Sequence, residues 1–338
     1  MIRFGVIGCG DVSRTYLYTL KENENSEIVA IADTEIKKAE KNSKIFGVKN
    51  AYDDYKKMLT CEKLDAIVIC TPHYLHHDQA LDCFRSGLDV LCEKPLATNR
   101  KDIFDMIENG RNVKFGVMLQ RRFYPSSIST RKVINDGLLG KINEVSLNFS
   151  CHKTNEFYNT WRGQKISGGG TLISQALHRI DQLVYFFGPA KQVDGFITTT
   201  RPNIEVEDYA KGKIFFNGGI IADIESNNSS DDPRTSSIIK INGNYGNIIL
   251  SDDKVIEWNV KNFPKPGEMN IKDIPNEYRP EYYGPAHELV INDFVDAIIY
   301  DRKPKICGED SLPSMEIIFG FYKSAKENRK IYLENVAF

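Results

Sequence analysis

Ile2-Arg3-Phe4-Gly5-Val6-Ile7-Gly8-Cys9-Gly10-Asp11-Val12-Ser13 decides how this chain of 338 residues is read. A short run of buried-strand character meets a glycine turn. From Val12 to Lys21 apolar residues recur at helical spacing, so a helix opens at the turn. Gly8 permits the tight turn, and Gly10 lets backbone approach a ligand. The helix N-terminus behind them offers amides and a positive dipole end. Glu27 to Ala32 reads as a second strand, and Asp33 ends it about 20 residues after the turn. Strand, turn, helix, strand and acid in this order suit a pyrophosphate at the turn and ribose hydroxyls on the carboxylate. Ser13 stands where a third glycine is usual, and it is small enough for close helix–strand packing.

The rhythm continues. Asp65 to Cys70, Asp89 to Cys92 and Lys114 to Met118 read as strands. Ile36 to Phe46, Tyr55 to Leu59, His76 to Ser86 and Lys101 to Asn109 read as helices. Such alternation implies a doubly wound parallel sheet, a Rossmann domain over residues 1–121. Beyond Gln120 the pattern changes. Pro125 to Ile134 and Thr171 to Phe187 read as helices. Ile142 to Ser150, Gln192 to Thr200, Asp208 to Phe216, Ile220 to Ser226 and Ser236 to Gly243 read as strands. Phe216-Asn217-Gly218-Gly219 reads as a hairpin turn. Helices return at His287 to Tyr300 and Asp310 to Asn328. Residues 122–338 are therefore expected to form an α+β domain with a large, mainly antiparallel open sheet and helices on one face.

Composition excludes several classes. A formal net charge of -2 gives no basic footprint for nucleic acid or a membrane surface. No apolar run approaches the ~20 residues of a membrane span. The seven cysteines are scattered with no Cys-x-x-Cys pair, which suits a reducing compartment and argues against zinc. The chain runs straight into a strand, so no signal peptide is expected and a cytoplasmic location follows. His73, His76 and His77 lie close together, yet no local carboxylate or cysteine completes a metal shell; no metal is expected.

Strand ends carry chemistry in such folds. Val90-Leu91-Cys92-Glu93-Lys94-Pro95-Leu96 places an acid, a lysine and a proline at one. Lys94 there can donate or accept a proton if burial or a nearby cation lowers its pKa. Glu93 is expected to contact the cofactor or brace the turn. Cys70-Thr71-Pro72-His73 ends the preceding strand, and His76 begins the next helix. The expected cofactor contacts are Gly8, Gly10, Asp11, Val12, Asp33, Thr34, Thr71, Pro72, His73, His76, Glu93 and Lys94. Asp33 repels a 2′-phosphate, which favours NAD; Lys37 and Lys38 on the following helix leave NADP open.

With these pieces in place the chain resembles the glucose–fructose oxidoreductase/inositol dehydrogenase (Gfo/Idh/MocA) family over nearly its whole length. The resemblance rests on Gly8-Cys9-Gly10, Cys70-Thr71-Pro72-His73, Glu93-Lys94-Pro95, Arg121-Arg122-Phe123-Tyr124-Pro125, Trp161-Arg162-Gly163, Gly168-Gly169-Gly170 and His178-x-x-Asp181. Asp293-Phe294-Val295-Asp296-Ala297-Ile298 and Gly308-Glu309-Asp310 extend it. It implies an NAD(P)-dependent oxidoreductase for a sugar, nucleotide sugar or cyclitol. It also implies that Lys94 lies beside the nicotinamide and the reacting hydroxyl, and that His178 accepts the proton. Gln120, Trp161, Arg162 and, in the Tyr282–Tyr283 region, Tyr283 would line the nicotinamide end.

Hydride transfer from an alcohol needs a base and a group to hold the oxygen. Ser174, His178 and Asp181 are spaced to share one face of a regular helix, and Asp181 is expected to orient His178. Inositol-type relatives carry aspartate where this chain has Ser174, which cannot stabilise an imidazolium. Lys94, Arg122, Tyr158, Arg162, Ser174, Gln175 and His178 are the expected substrate contacts, with Asn155 and Lys165 nearby; Pro95 braces the lysine turn. Two other classes use the same scaffold: glycosidases that oxidise transiently with bound NAD, and silent NAD-binding regulators. An open sheet with one bare face implies a homodimer or homotetramer through that face.

Overall fold

The computed structural model describes residues 1–232, 234–270, 274–280 and 284–333. It divides into two compact units, Met1–Gln120 with Asn270–Ser311, and Arg121–Met269 with the segment from Leu312 onward.

The first unit is built on a six-stranded parallel sheet in the order β3-β2-β1-β4-β5-β6. The strands are β1 (Ile2–Ile7), β2 (Ser26–Ala32), β3 (Asn50–Tyr52), β4 (Ala66–Ile69), β5 (Asp89–Cys92) and β6 (Phe115–Val117). Between them run α1 (Asp11–Glu22), α2 (Ile36–Phe46), α3 (Tyr55–Cys61), α4 (His76–Arg85) and α5 (Arg100–Asn109). Strand order reverses beside β1, so the carboxyl ends of β1 and β4 border the crevice where such folds take ligands. The central strands are continuous apolar runs because helices cover both faces; Val6, Ile67, Ile69 and Val90 are fully buried. The sequence pattern shows five strands in this unit. The sixth, β3, has three residues, too few for any periodicity. The segment 270–311, expected from sequence in the second domain, packs with the first unit, its helix α9 (Ala286–Ile299) lying against α1.

The second unit carries an eight-stranded sheet in the order β13-β12-β11-β7-β10-β9-β8-β14. Its strands are β7 (Ile142–Ser150), β8 (Ala190–Thr198), β9 (Tyr209–Phe216), β10 (Ile221–Asn227), β11 (Ser236–Gly243), β12 (Asn247–Ser251), β13 (Lys254–Asn259) and β14 (Ile331–Tyr332). All described pairings are antiparallel except β7 with β10. The β9–β10 hairpin turns through Gly218 and Gly219, both at positive φ. The helices α6 (Pro125–Asn135), α7 (Asn155–Tyr158), α8 (Leu177–Phe187) and α10 (Leu312–Glu327) complete the unit, with α10 lying on β8 and against α8. Inward positions such as Val145, Ala210, Ile214 and Ile224 are buried. The sequence reading gives this sheet a bare outer face for self-association, the usual use of an exposed apolar face. Its centre is instead charged and polar, with Lys211, Lys213, Asp223, Glu225, Asn148 and Lys240 exposed and Lys213 paired to Asp223 at 2.5 Å. No helix among the described residues is long and apolar enough to cross a membrane.

Candidate active site

The turn after β1 is held from two sides. Gly8 has φ +95°, and a Cβ there would lie 2.8 Å from the Cys70 carbonyl carbon, so the turn passes directly against the end of β4. Asp33 accepts the Cys9 amide on Oδ2 at 2.8 Å and the Glu35 amide on Oδ1 at 2.8 Å. Its carboxylate therefore braces the glycine turn as well as standing half-buried at the end of β2. A Cβ on Gly10 would meet nothing within 4 Å, and no side chain caps α1. The turn thus opens onto free space where α1 begins, as a diphosphate requires. Ser13 is fully buried and donates to Gly10 O at 2.6 Å. Asp11 and Thr34 are exposed and Val12 half-buried around this opening. Lys38 pairs with Glu35 on the surface of α2.

Thr71, Pro72 and His73 are half-buried beyond β4. Thr71 Oγ1 donates to Gln79 Oε1 at 2.6 Å. Gln120, just past β6, is 7% exposed, and its Oε1 is buried with no hydrogen-bond partner among the described residues. A buried acceptor left in this state is expected where a ligand supplies the donor. Open space at Gly10, the start of α1, Asp33 and Gln120 Oε1 together fit a dinucleotide.

Lys94 is half-buried at the end of β5, between Glu93 and Pro95, both buried. Glu93 is engaged within the turn. Its Oε1 accepts the Tyr16 hydroxyl at 2.9 Å and its Oε2 the Lys94 amide at 3.1 Å, so it braces the turn. His76, expected at the cofactor edge, lies within the fold. It is fully buried, with Nδ1 2.8 Å from Pro95 O and Nε2 2.8 Å from Thr71 O. The ring ties the ends of β4 and β5 together from beneath. It points there because side chains in the first turn of a helix lean toward its N-terminus. Burial pushes its pKa below the usual imidazole value. The third histidine of the cluster, His77, lies against Asp78 and Asp105.

In the second unit, residues 171–187 do not form one regular helix. Leu172–Ala176 make a π turn, followed by α8. A π turn inserts a residue and rotates the helix beyond it, so Ser174 and His178 do not stand one α-turn apart. Ser174 is 8% exposed, and its hydroxyl donates back to Gly170 O. Gln175 and His178 are half-exposed on this otherwise buried stretch. Asp181 is 1% exposed and does not orient His178. It accepts Arg122 Nε on Oδ2 at 2.9 Å, and Arg122 Nη2 and Ser314 Oγ on Oδ1 at 2.8 Å each. Two of the Arg122 guanidinium nitrogens are thereby held by Asp181. Tyr158, expected to touch substrate, is 5% exposed with its hydroxyl accepting Asn228 Nδ2 at 3.1 Å. Burial pushes its pKa up to about 12. Trp161 and Arg162 are half-exposed, the guanidinium 4.4 Å from the indole centroid. The triple glycine passes so close beneath them that a Cβ on Gly169 would strike Arg162 O at 1.7 Å. Tyr283 lies outside the described residues.

Two buried groups escape sequence reasoning. Tyr16 reads as one more core position of an amphipathic helix. Glu207, in the loop before β9, reads as surface. It accepts the Leu172 amide at 3.0 Å and the Tyr322 hydroxyl at 3.0 Å beneath the π turn. Burial raises its pKa from 4.5 to about 7. The folded state therefore keeps a proton that the unfolded chain releases between these values. Stability from this group is full below pH 4.5 and is lost as pH rises toward 7. Glu207→Gln should remove a slope on the order of 1 kcal/mol per pH unit over that window, read by thermal unfolding at stepped pH. Parallel wild-type and variant curves would contradict it.

Comparison with known proteins agrees with this geometry. Residues 2–119 match the Gfo/Idh/MocA oxidoreductase family, NAD-binding Rossmann fold, and residues 131–333 match its C-terminal alpha/beta domain. The chain belongs to this family. The D-glucoside 3-dehydrogenase of Escherichia coli is 26% identical over 242 residues, 65% of this chain and 68% of the relative. The myo-inositol 2-dehydrogenase of Thermotoga maritima is 22% identical over 99% of both. Among solved structures, the WlbA dehydrogenase of Bordetella pertussis, in complex with NADH and UDP-GlcNAcA, superposes with a TM-score of 0.87. It is 25% identical, with 99% of each chain covered. This family member is accordingly an oxidoreductase with an NAD-binding Rossmann domain.

Proposed function

We propose that the protein is an NAD-dependent dehydrogenase interconverting a hydroxyl-bearing carbon and its ketone on a sugar, nucleotide sugar or cyclitol. The observation that carries this is Lys94 at the end of β5, on the same sheet edge as the open Gly8–Gly10 turn. NAD, when bound, supplies the hydride acceptor. The α1 amides hold its diphosphate, and Asp33 holds ribose hydroxyls and disfavours a 2′-phosphate. Thr71, Pro72, His73 and Gln120 border the nicotinamide end. Lys94 holds the reacting oxygen, and His178 takes the proton. Trp161, Arg162 and Gln175 keep accessible polar groups for cofactor or substrate. In this reading the first unit binds nucleotide and the second binds substrate. The relatives named for glucoside and inositol, and the structure holding UDP-GlcNAcA, support the substrate range.

The test is NADH absorbance with NAD or NADP and a panel of myo-inositol, methyl glucosides, UDP-GlcNAc and its uronic acid. Steady NADH accumulation with at least one compound, and tighter binding of NAD than NADP, are expected. Silence across the panel with NAD bound would sink the dehydrogenase reading; transient NADH with glycoside cleavage would point to hydrolysis.

The same reading places the protein in the cytoplasm, which its free cysteines suit. It also pairs two copies through the C-terminal sheet. The Lys211 and Lys213 row lies beside the Asp223 and Glu225 row, a self-complementary charge pattern for a twofold interface. A monomer by light scattering at micromolar concentration would count against it.

A further inference from the structure

We propose that Tyr16 and Glu93 are positioning residues that set the charge state of Lys94 from inside the first unit. The inference rests on Lys94 being the reacting group.

Tyr16 sits on α1, past the turn that faces the cofactor, and is fully buried. Its hydroxyl donates to Glu93 Oε1 at 2.9 Å. Glu93 is 8% exposed, and its other oxygen accepts the Lys94 amide. Packing alone does not call for this pair. A phenylalanine and an apolar residue would fill the same space without burying a carboxylate, and burying one is costly unless donors and a cation offset it. The chain retains the carboxylate, supplies it with two donors, and sets it next in sequence to Lys94.

Among the described residues, the other titratable groups around this pair hold their neutral forms. Cys70 past β4 and Cys92 on β5 are buried, and burial pushes both thiols well up, so they stay neutral. Tyr16 is pushed up by burial and then by Glu93, so it stays a donor. His76, from α4, is held down by burial, with the Lys94 charge adding to that. Burial raises Glu93 above the usual carboxylate value, while Lys94 and the Tyr16 hydroxyl pull it back. Tyr16 is therefore one of the groups that oppose the protonation burial favours at Glu93. Without the Tyr16 hydroxyl, Glu93 takes up a proton more readily. The Lys94 ammonium then loses its adjacent anion and releases its proton at lower pH. The sign is the same whether Lys94 works as base or as cation.

The test needs no substrate. The pH dependence of Lys94 acetylation by trace acetic anhydride, followed by peptide mass spectrometry, reports its titration in the full chain, free and with NAD bound. Tyr16→Phe should lower the Lys94 midpoint by about half a pH unit, and Glu93→Gln by about one unit or more. Lysines elsewhere, such as Lys132, should not move. A midpoint unchanged in Tyr16→Phe, or one that rises, overturns the proposal; this variant loses only a hydroxyl and carries the test if Glu93→Gln does not fold. Failure of the underlying reading looks different: Lys94→Met would keep its turnover whatever the labelling shows.

Discussion

Lys94→Met is expected to lower turnover by about 10²–10⁴-fold while NAD still binds within a few-fold of wild type. The methionine keeps the unbranched apolar stem and removes the amine, so the turn is not emptied. The hydrogen bonds that shape that turn do not use the Lys94 amine. Glu93 is held by Tyr16 and the Lys94 amide, and Pro95 by the His76 ring. The cofactor cradle depends on Gly8, Gly10 and Asp33, whose contacts run to Cys70, Cys9 and Glu35. Loss of the amine therefore separates chemistry from binding. Isothermal titration with NAD and steady-state turnover on the best compound of the panel make the two measurements. Near-full turnover in Lys94→Met would remove the lysine from the mechanism and leave His178 to carry the proton alone.

Local patterns carried most of this structure, and the exceptions share a cause. The glycine turn, the strand–helix alternation and Asp33 are short-range signals, and each lies where the sequence places it. The length of β3 defeats periodicity. The π turn at Leu172–Ala176 cannot be seen in residues that all tolerate a regular helix, yet it changes which side chains share a face. His76 lies near the cofactor edge in sequence, but its ring turns inward to two carbonyls. Tyr16 and Glu93 are 77 residues apart, and Arg122 and Asp181 are 59 apart. Pairings of this range have no local signature. Sequence reasoning assigned Asp181 to the nearest candidate, His178, and had no signal for its pairing with Arg122.

That pairing makes the second large prediction. Asp181→Ala should destabilise the protein by about 3–5 kcal/mol, the usual cost of removing one member of a buried ion pair. The Arg122 side chain is 10% exposed and that of Asp181 1%. Two guanidinium nitrogens and the Ser314 hydroxyl donate to the lost carboxylate. In the variant the guanidinium loses this carboxylate inside the protein, with the Tyr185 ring 5.6 Å away. Since Ser314 sits on α10 and Arg122 precedes α6, the same loss loosens the packing of both against α8. The double variant Arg122→Met/Asp181→Leu should regain much of the stability, because two apolar side chains leave no charge stranded. Urea unfolding followed by circular dichroism measures both. A role in orienting His178 predicts the reverse pattern: Asp181→Ala would unfold within about 1 kcal/mol of wild type and lose turnover alone, and the double variant would recover nothing.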